Sequence, residues 1–325
     1  MFALGLRQAG ADTFDFDPTT GVAGSDLDIL HIHWPEQVFW AGGGRLKVLS
    51  RLFKTLWTLR MLKKAGVKIV WMVHNIAPHD LSKKQLPLWL LFRQFLYRMT
   101  DGFMTLSPAT IDAVRGELAG LKSKPAEYSW HPSFARSVES RPRPQIRAQL
   151  GFSNSNRVLG ILGLLRPYKG IETLIEVFQT LPDPDTRLLI VGMPIDAAYG
   201  DSLSRSVKSD RRIVLLPEHM SDTVFAEYLS ASDLIVLPFQ KILHSGSIIH
   251  ALSEHRPVLT LKTPFSTSLR DVVGEDWITT YDGSLQASHL ACIKFPDQAP
   301  KLDAFSTVEA GKRAVEFYKR LLCKG

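Results

Sequence analysis

Long apolar runs are missing from this chain of 325 residues: no stretch approaches the roughly 20 residues that a helix needs to cross a bilayer. Cysteine is scarce, with only Cys292 and Cys323. Two cysteines build no disulfide framework and fit a reducing cytoplasm. The opening MFALGLRQAG has no basic region followed by an apolar core, so it does not read as a secretory leader. No low-complexity tract occurs, and 45% hydrophobic with 22% charged residues is the composition of a folded chain. Acid is lacking in one region. Between Ala41 and Thr100 there are twelve Lys or Arg and one acid, Asp80. Since the whole chain carries +7, the remainder is net negative. Such asymmetry points to an anionic partner for one face, whether membrane, nucleic acid or phosphorylated substrate, with a solvated helical face as the alternative.

What is present is an alternation of strand and helix patterns. Asp28–His33 and Val67–Val73 read as strands, with the helix pattern Arg45–Lys64 between them, carrying Leu46, Leu49, Leu52, Phe53, Leu56 and Leu59. A helix over Pro87–Arg98 and a short strand over Gly102–Leu106 follow. The segment Arg141–Pro144 (RPRP) is the expected linker. Strands are then expected at Arg157–Leu162, Arg187–Val191, Arg212–Leu215, Leu234–Leu237 and Val258–Leu261. Helices are expected at Gly170–Leu181, Asp222–Ala231, Ser247–Glu254 and Thr307–Leu322. This is an α/β chain of two Rossmann-like parallel-sheet domains, over 1–140 and 141–306, with 307–325 a C-terminal helix that crosses back to the first. Two such sheets place a ligand cleft at their carboxyl ends.

Chemistry concentrates in two loops of the second half. In GILGLLRPYKG (Gly160–Gly170) an apolar strand runs into a loop bearing Arg166 and Lys169 before a helix start. Two cations there suit a diphosphate: Arg clasps phosphate oxygens in pairs, and Lys is a mobile point charge. A basic surface turn is the plainer reading of that loop alone. Further on, Ser245, Gly246 and Ser247 lead straight into a helix. Small residues let a phosphate approach the backbone N–H groups, and the helix start adds partial positive charge.

G-x-L-R-P-Y-K-G-I-E, LLIVG, LSASDLIVLPF and SGS…ALS…RPV, collinear over Arg157–Leu261, resemble the carboxyl-terminal domain of GT-B glycosyltransferases. HIHWPE (His31–Glu36) and VHNIAPH (Val73–His79) narrow the resemblance to the bacterial xanthan-type GDP-mannose:glycolipid β-mannosyltransferases. It implies a nucleotide-diphosphate sugar donor with GDP-mannose favoured, a polyprenyl-diphosphate-linked oligosaccharide acceptor, and work at an anionic membrane surface on the inner face of the cell membrane. It implies no nucleic-acid partner, no cofactor and no metal. The chain departs from the pattern in two places. The glutamate pair of the large retaining group falls here near Leu243 and at His250. No strand precedes MFALGLRQAG, so the first strand of a GT-B domain is missing from the pattern.

Within this frame Arg166, Lys169, Ser245, Gly246 and Ser247 hold the donor's diphosphate, and His219 and Met220 lie where the resemblance puts the nucleobase. His33, Trp34 and His74 are expected to bind acceptor or sugar, the indole packing on a pyranose face. His33 and His74 as structural histidines is the alternative. Glu36 is the candidate general base, ahead of Asp80, His33 or His74. Among the basic residues of 41–100, Arg51, Lys54, Lys63 and Lys64 are expected at the membrane, with Trp57, Trp89 and Phe92 inserting where exposed and core burial the expectation for at least one of them. Three other readings stay open: a UDP-sugar-dependent transferase, a catalytically silent nucleotide-sugar-binding partner of a glycan assembly complex, and a sugar-nucleotide epimerase.

Overall fold

The computed structural model describes residues 1–17, 27–40, 44–78, 81–82, 84–134, 141–239, 243–291 and 296–323, the side chains of residues 40 and 45 excepted. Asp80 and His79 lie outside the described residues. In chain order the elements are α1 (Phe2–Gln8), β1 (Ile29–Ile32), α2 (Gln37–Trp40), α3 (Arg45–Lys64), β2 (Lys68–Met72), α4 (Leu86–Met99), β3 (Gly102–Thr105), α5 (Ile111–Glu117) and β4 (Ala126–Tyr128). Then come α6 (Arg143–Gln149), β5 (Arg157–Leu162), α7 (Ile171–Gln179), β6 (Thr186–Val191), α8 (Ala197–Val207), β7 (Ile213–Leu216), α9 (Asp222–Ala231) and β8 (Leu234–Leu237). The chain closes with α10 (Gly246–Ser253), β9 (Val258–Leu261), α11 (Pro264–Val273), β10 (Ile278–Tyr281), α12 (Ala287–Ala291) and α13 (Thr307–Leu322). Two compact units result: residues 1–132 with 304–325, and residues 133–303.

The first unit holds a parallel sheet in the order β1-β2-β3-β4. Side chains alternate across its faces, so each face needs its own cover. Leu30 and Ile69 meet Val48, Leu52, Leu59 and Leu62 of α3 and Trp89, Phe92 and Leu96 of α4. On the opposite face Val70, Met72 and Met104 meet Ala314, Phe317, Tyr318 and Leu321 of α13, with Leu6 of α1. The two terminal helices touch backbone to backbone. A Cβ on Gly311 would lie 1.9 Å from the Gly5 oxygen, and one on Gly5 would lie 2.0 Å from the Thr307 oxygen. Ser306 caps α13 by accepting the Glu309 N–H.

The first unit corrects two expectations. Trp89 and Phe92 keep 2% and 4% of their surface and form the core instead of a lipid-facing edge. Of the four cations expected outside, Lys63 pairs with Asp101 and Arg51 donates to the Val38 carbonyl at 3.1 Å. The helix α3 has the bounds read from the sequence, but Leu46, Leu49 and Phe53 face outward.

The second unit carries the order β10-β9-β8-β5-β6-β7, all parallel. Runs such as VLGIL in β5 and LLIV in β6 are apolar throughout because both faces are covered. The expected linker at RPRP is a helix start: α6 begins at Arg143, with Pro144 in the first turn, where a missing N–H costs nothing. Its basic residues are tied down. Arg141 forks onto Glu227, and Arg143 and Arg147 both pair with Asp233. Arg147 is 2% exposed and also donates to the carbonyls of Ala231, Asn154 and Asn156. Asp233 additionally accepts the Val158 N–H at 2.7 Å, joining α6, β5 and the start of β8.

Removing one partner of a buried pair leaves the other charge stranded. Asp233→Asn is therefore expected to destabilise the second unit by roughly 3 kcal/mol, read as a lowered midpoint in urea unfolding. An unchanged midpoint would assign the Arg147 charge to its carbonyl acceptors instead.

Candidate functional site

Two loops leave adjacent strands of the second unit at the same end of the sheet, since β5 and β8 are parallel neighbours. The loop after β5 turns at Gly163 (φ 106°) and ends at Gly170 (φ 69°). Both conformations favour glycine, and Gly170 has a second reason: a Cβ there would lie 2.5 Å from the Pro238 oxygen. Pro238 begins the loop after β8, so the two loops are in backbone contact. The loop after β6 closes on the same point. A Cβ on Gly192 would lie 1.8 Å from the Gly163 oxygen, and Leu165 exchanges backbone hydrogen bonds with Met193 and Ile195.

Lys169 lies under these loops with 6% of its surface exposed. Burial, assisted by Arg166, lowers its pKa to about 8. Among the described residues no carboxylate pairs with it. A buried ammonium without a counter-charge is a site waiting for an anion. Arg166 is part-buried three residues earlier. On the neighbouring loop Ser245 caps α10, its Oγ accepting the Ile248 N–H at 3.3 Å. Gly246 and Ser247 occupy the first helical turn, where N–H groups have no partner within the helix. The residues expected to hold a diphosphate thus lie on touching loops.

His219 and Met220 are elsewhere on this unit. They follow β7, the edge strand two places from β5, and His219 is exposed. His250, where a glutamate of the retaining group would fall, is stacked between Phe134 at 4.0 Å and Phe225 at 4.7 Å.

In the first unit β1 puts His31 and His33 on one face, their rings stacked at 4.8 Å. His74 follows β2, the neighbouring strand, and its Nε2 is 3.1 Å from Nδ1 of His33. One imidazole donates in that bond and the other accepts. His74 also stacks on Trp34 at 4.1 Å and 11°, so one face of that indole is taken by an imidazole rather than left for a sugar. His33, Glu36, Trp71, His74, Asn75, Pro78 and Trp89 line a recess. Glu36 is 6% exposed within it.

Burial lowers the His33 pKa to about 4, and burial with neighbouring His33 and His74 takes His31 well below the usual imidazole range. Both rings are neutral at pH 7: fit to exchange hydrogen bonds with hydroxyls, and His33 too weakly basic to be the preferred proton acceptor. The sequence reading missed the groups that enclose this cluster. Tyr318 of α13 hydrogen-bonds His31 Nδ1, and Phe2 of α1 sets its ring edge-on to His31 and His33 at 5.2 and 5.4 Å. Their separation along the chain leaves no local signal. Among the described residues no group of three His, Cys, Asp or Glu is placed to hold a metal ion.

Comparison with known proteins adds to this geometry. Residues 156–293 match the family model described as glycosyl transferases group 1. A GDP-mannose:glycolipid 4-beta-D-mannosyltransferase of Xanthomonas campestris pv. campestris is 29% identical over 272 residues, 82% of this chain and 70% of that protein. Among solved structures, a glycosyltransferase from Rickettsia africae matches at a TM-score of 0.63 with 13% identity, over 92% of this chain and 78% of that one. The Anabaena protein HepE, in complex with UDP-glucose, matches at 0.58 with 17% identity, over 91% and 78%. With a group 1 domain over the strands that carry Lys169 and Ser245, and two parallel-sheet units built like these structures, the chain is a glycosyltransferase of the GT-B fold.

Proposed function

We propose that this glycosyltransferase moves mannose from GDP-mannose, with inversion, onto a lipid-linked oligosaccharide in exopolysaccharide or glycolipid synthesis. The observation that carries the donor half is Lys169, a buried ammonium with no carboxylate partner among the described residues, on the loop beside α10. The Xanthomonas relative's printed activity supports the sugar and the glycolipid acceptor. A polyprenyl-diphosphate acceptor puts the enzyme peripherally on the inner, anionic face of the cell membrane. No helix among the described residues is long and apolar enough to cross it.

In the proposed step Glu36 takes the proton of the acceptor hydroxyl, and the oxygen forms a bond to the anomeric carbon. The bond from that carbon to the phosphate oxygen breaks, and the electron pair leaves with GDP. Arg166, Lys169 and the Gly246 and Ser247 amides take up the charge that develops there. His219 and Met220 sit at the base end of the nucleotide. His33, neutral at pH 7, and His74, with Trp34 behind it, orient sugar hydroxyls. None of these steps calls for a metal or cofactor.

Arg166→Ala and Lys169→Ala are each expected to cost about 1.5–3 kcal/mol of GDP affinity, the worth of a hydrogen bond to a charged group, with folding intact. In calorimetric titration that is roughly ten- to a hundredfold in dissociation constant; unchanged affinity for both GDP and UDP in both variants would remove the site. Glu36→Gln keeps the shape and removes the base. Turnover with GDP-mannose should fall by roughly 10²–10⁴ while GDP affinity holds. Near-normal turnover would move the base to another group, with His74 the next variant to measure. Absence of turnover in the wild type with every sugar nucleotide, alongside tight binding, would favour the silent partner.

A further inference from the structure

Helix α3 is apolar on two opposite sides. One side is the core stripe of Val48, Leu52, Leu59 and Leu62. On the other, Leu46, Leu49, Phe53, Trp57 and Met61 keep 83%, 48%, 70%, 52% and 40% of their surface exposed. Their spacing of three, four, four and four residues is that of one helical face. It runs for about 22 Å at 1.5 Å per residue. Against the inner side of α3 packs α4, which exposes Leu86, Leu90 and Leu91 at 45%, 41% and 70%. Isolated exposed leucines need no explanation, but a continuous row that includes Phe and Trp does.

The charges beside the row identify what covers it. Lys47, Lys54, Arg60 and Lys64 are exposed on the same helix, and α3 has no acid at all. No acid stands in α4 either. A protein partner with an apolar face would find nothing negative here to match, whereas a bilayer bearing anionic headgroups supplies both the apolar depth and the charge. An interfacial helix has this composition: Leu, Phe and Trp on one face and Lys or Arg along its borders.

We propose that α3 lies in the plane of an anionic bilayer with Leu46, Phe53 and Trp57 inserted below the headgroups, and that Lys54, Arg60 and Lys64 ring it at headgroup level. This deepens the reading of a lipid-linked acceptor by naming the surface that meets the lipid, and it makes attachment chiefly hydrophobic, not the electrostatic contact that the basic stretch alone suggested. Salt screens the cations but not the inserted row.

The test is flotation of the full chain with vesicles of phosphatidylcholine containing about 30% phosphatidylglycerol, at low salt and at about 0.5 M NaCl. The wild type is expected to float at both. The triple variant Leu46→Gln, Phe53→Gln, Trp57→Gln should lose at least about tenfold in partitioning at both salts, with thermal unfolding unchanged because the three side chains are exposed. Lys54→Gln, Arg60→Gln, Lys64→Gln should lose binding at low salt yet match the wild type at high salt. Wild-type flotation by the triple Gln variant would overturn the proposal. So would a wild-type dimer in solution that this variant turns into a monomer, since the row would then be an interface between copies. Vesicle binding is read without donor or acceptor, so its failure and failure of mannosyl transfer are told apart.

Discussion

Lys169 keeps its ammonium group beneath three loops that approach one another to backbone contact, with no carboxylate beside it among the described residues. Water would hold that charge better, and the cost shows in a pKa brought down to about 8. The surroundings are organised around this cost. Gly163, Gly170 and Gly192 let the loops after β5, β6 and β8 close where any Cβ would collide or force an unfavoured backbone. The Asp233–Arg147 pair fixes α6 and the starts of β5 and β8 below them. A sheet end that buries a cation in this way offers a preformed place for an anion, and the proposed diphosphate site rests on it.

The first unit applies burial differently. Its polar recess holds His33, an imidazole that burial keeps neutral, so its hydrogen-bonding capacity survives without charge. Both terminal helices enclose it: Gly5 and Gly311 bring α1 and α13 into contact, and from there Phe2 and Tyr318 reach the histidines. The same unit turns a basic, apolar row outward on α3. The proposed donor site and the proposed lipid surface therefore lie on different elements, so one can be altered without the other.

Much of this was legible in the sequence where the signal is local. The apolar runs of β5 and β8 mark their elements within a few residues, as do the small residues at the start of α10. The loops bearing Arg166, Lys169 and Ser245 stand out in the sequence because small and basic residues there follow strand patterns and precede helix starts. What escaped depends on partners far along the chain. RPRP reads as a linker until Glu227 and Asp233 are seen to hold its arginines. The leucines of α3 mark it as a helix, but periodicity cannot tell an inward stripe from an outward one. The short β10 (ITTY) and the serine-rich α8 carry too little apolar pattern to announce themselves. The Tyr318 contact with His31 spans 287 positions and leaves no trace in either segment.

That Lys169 is a deprotonation-prone ammonium waiting for a diphosphate is tested most directly by proton uptake on binding. GDP-mannose is titrated into the protein near pH 8.5 in buffers of different ionisation enthalpy. If the diphosphate restores the lysine's charge, the free site is mostly neutral and the bound site protonated. Uptake should then approach about three-quarters of a proton per site, shrink toward pH 7, and vanish in Lys169→Gln. Binding with no proton uptake at pH 8.5, or uptake that persists in the Gln variant, would contradict the account.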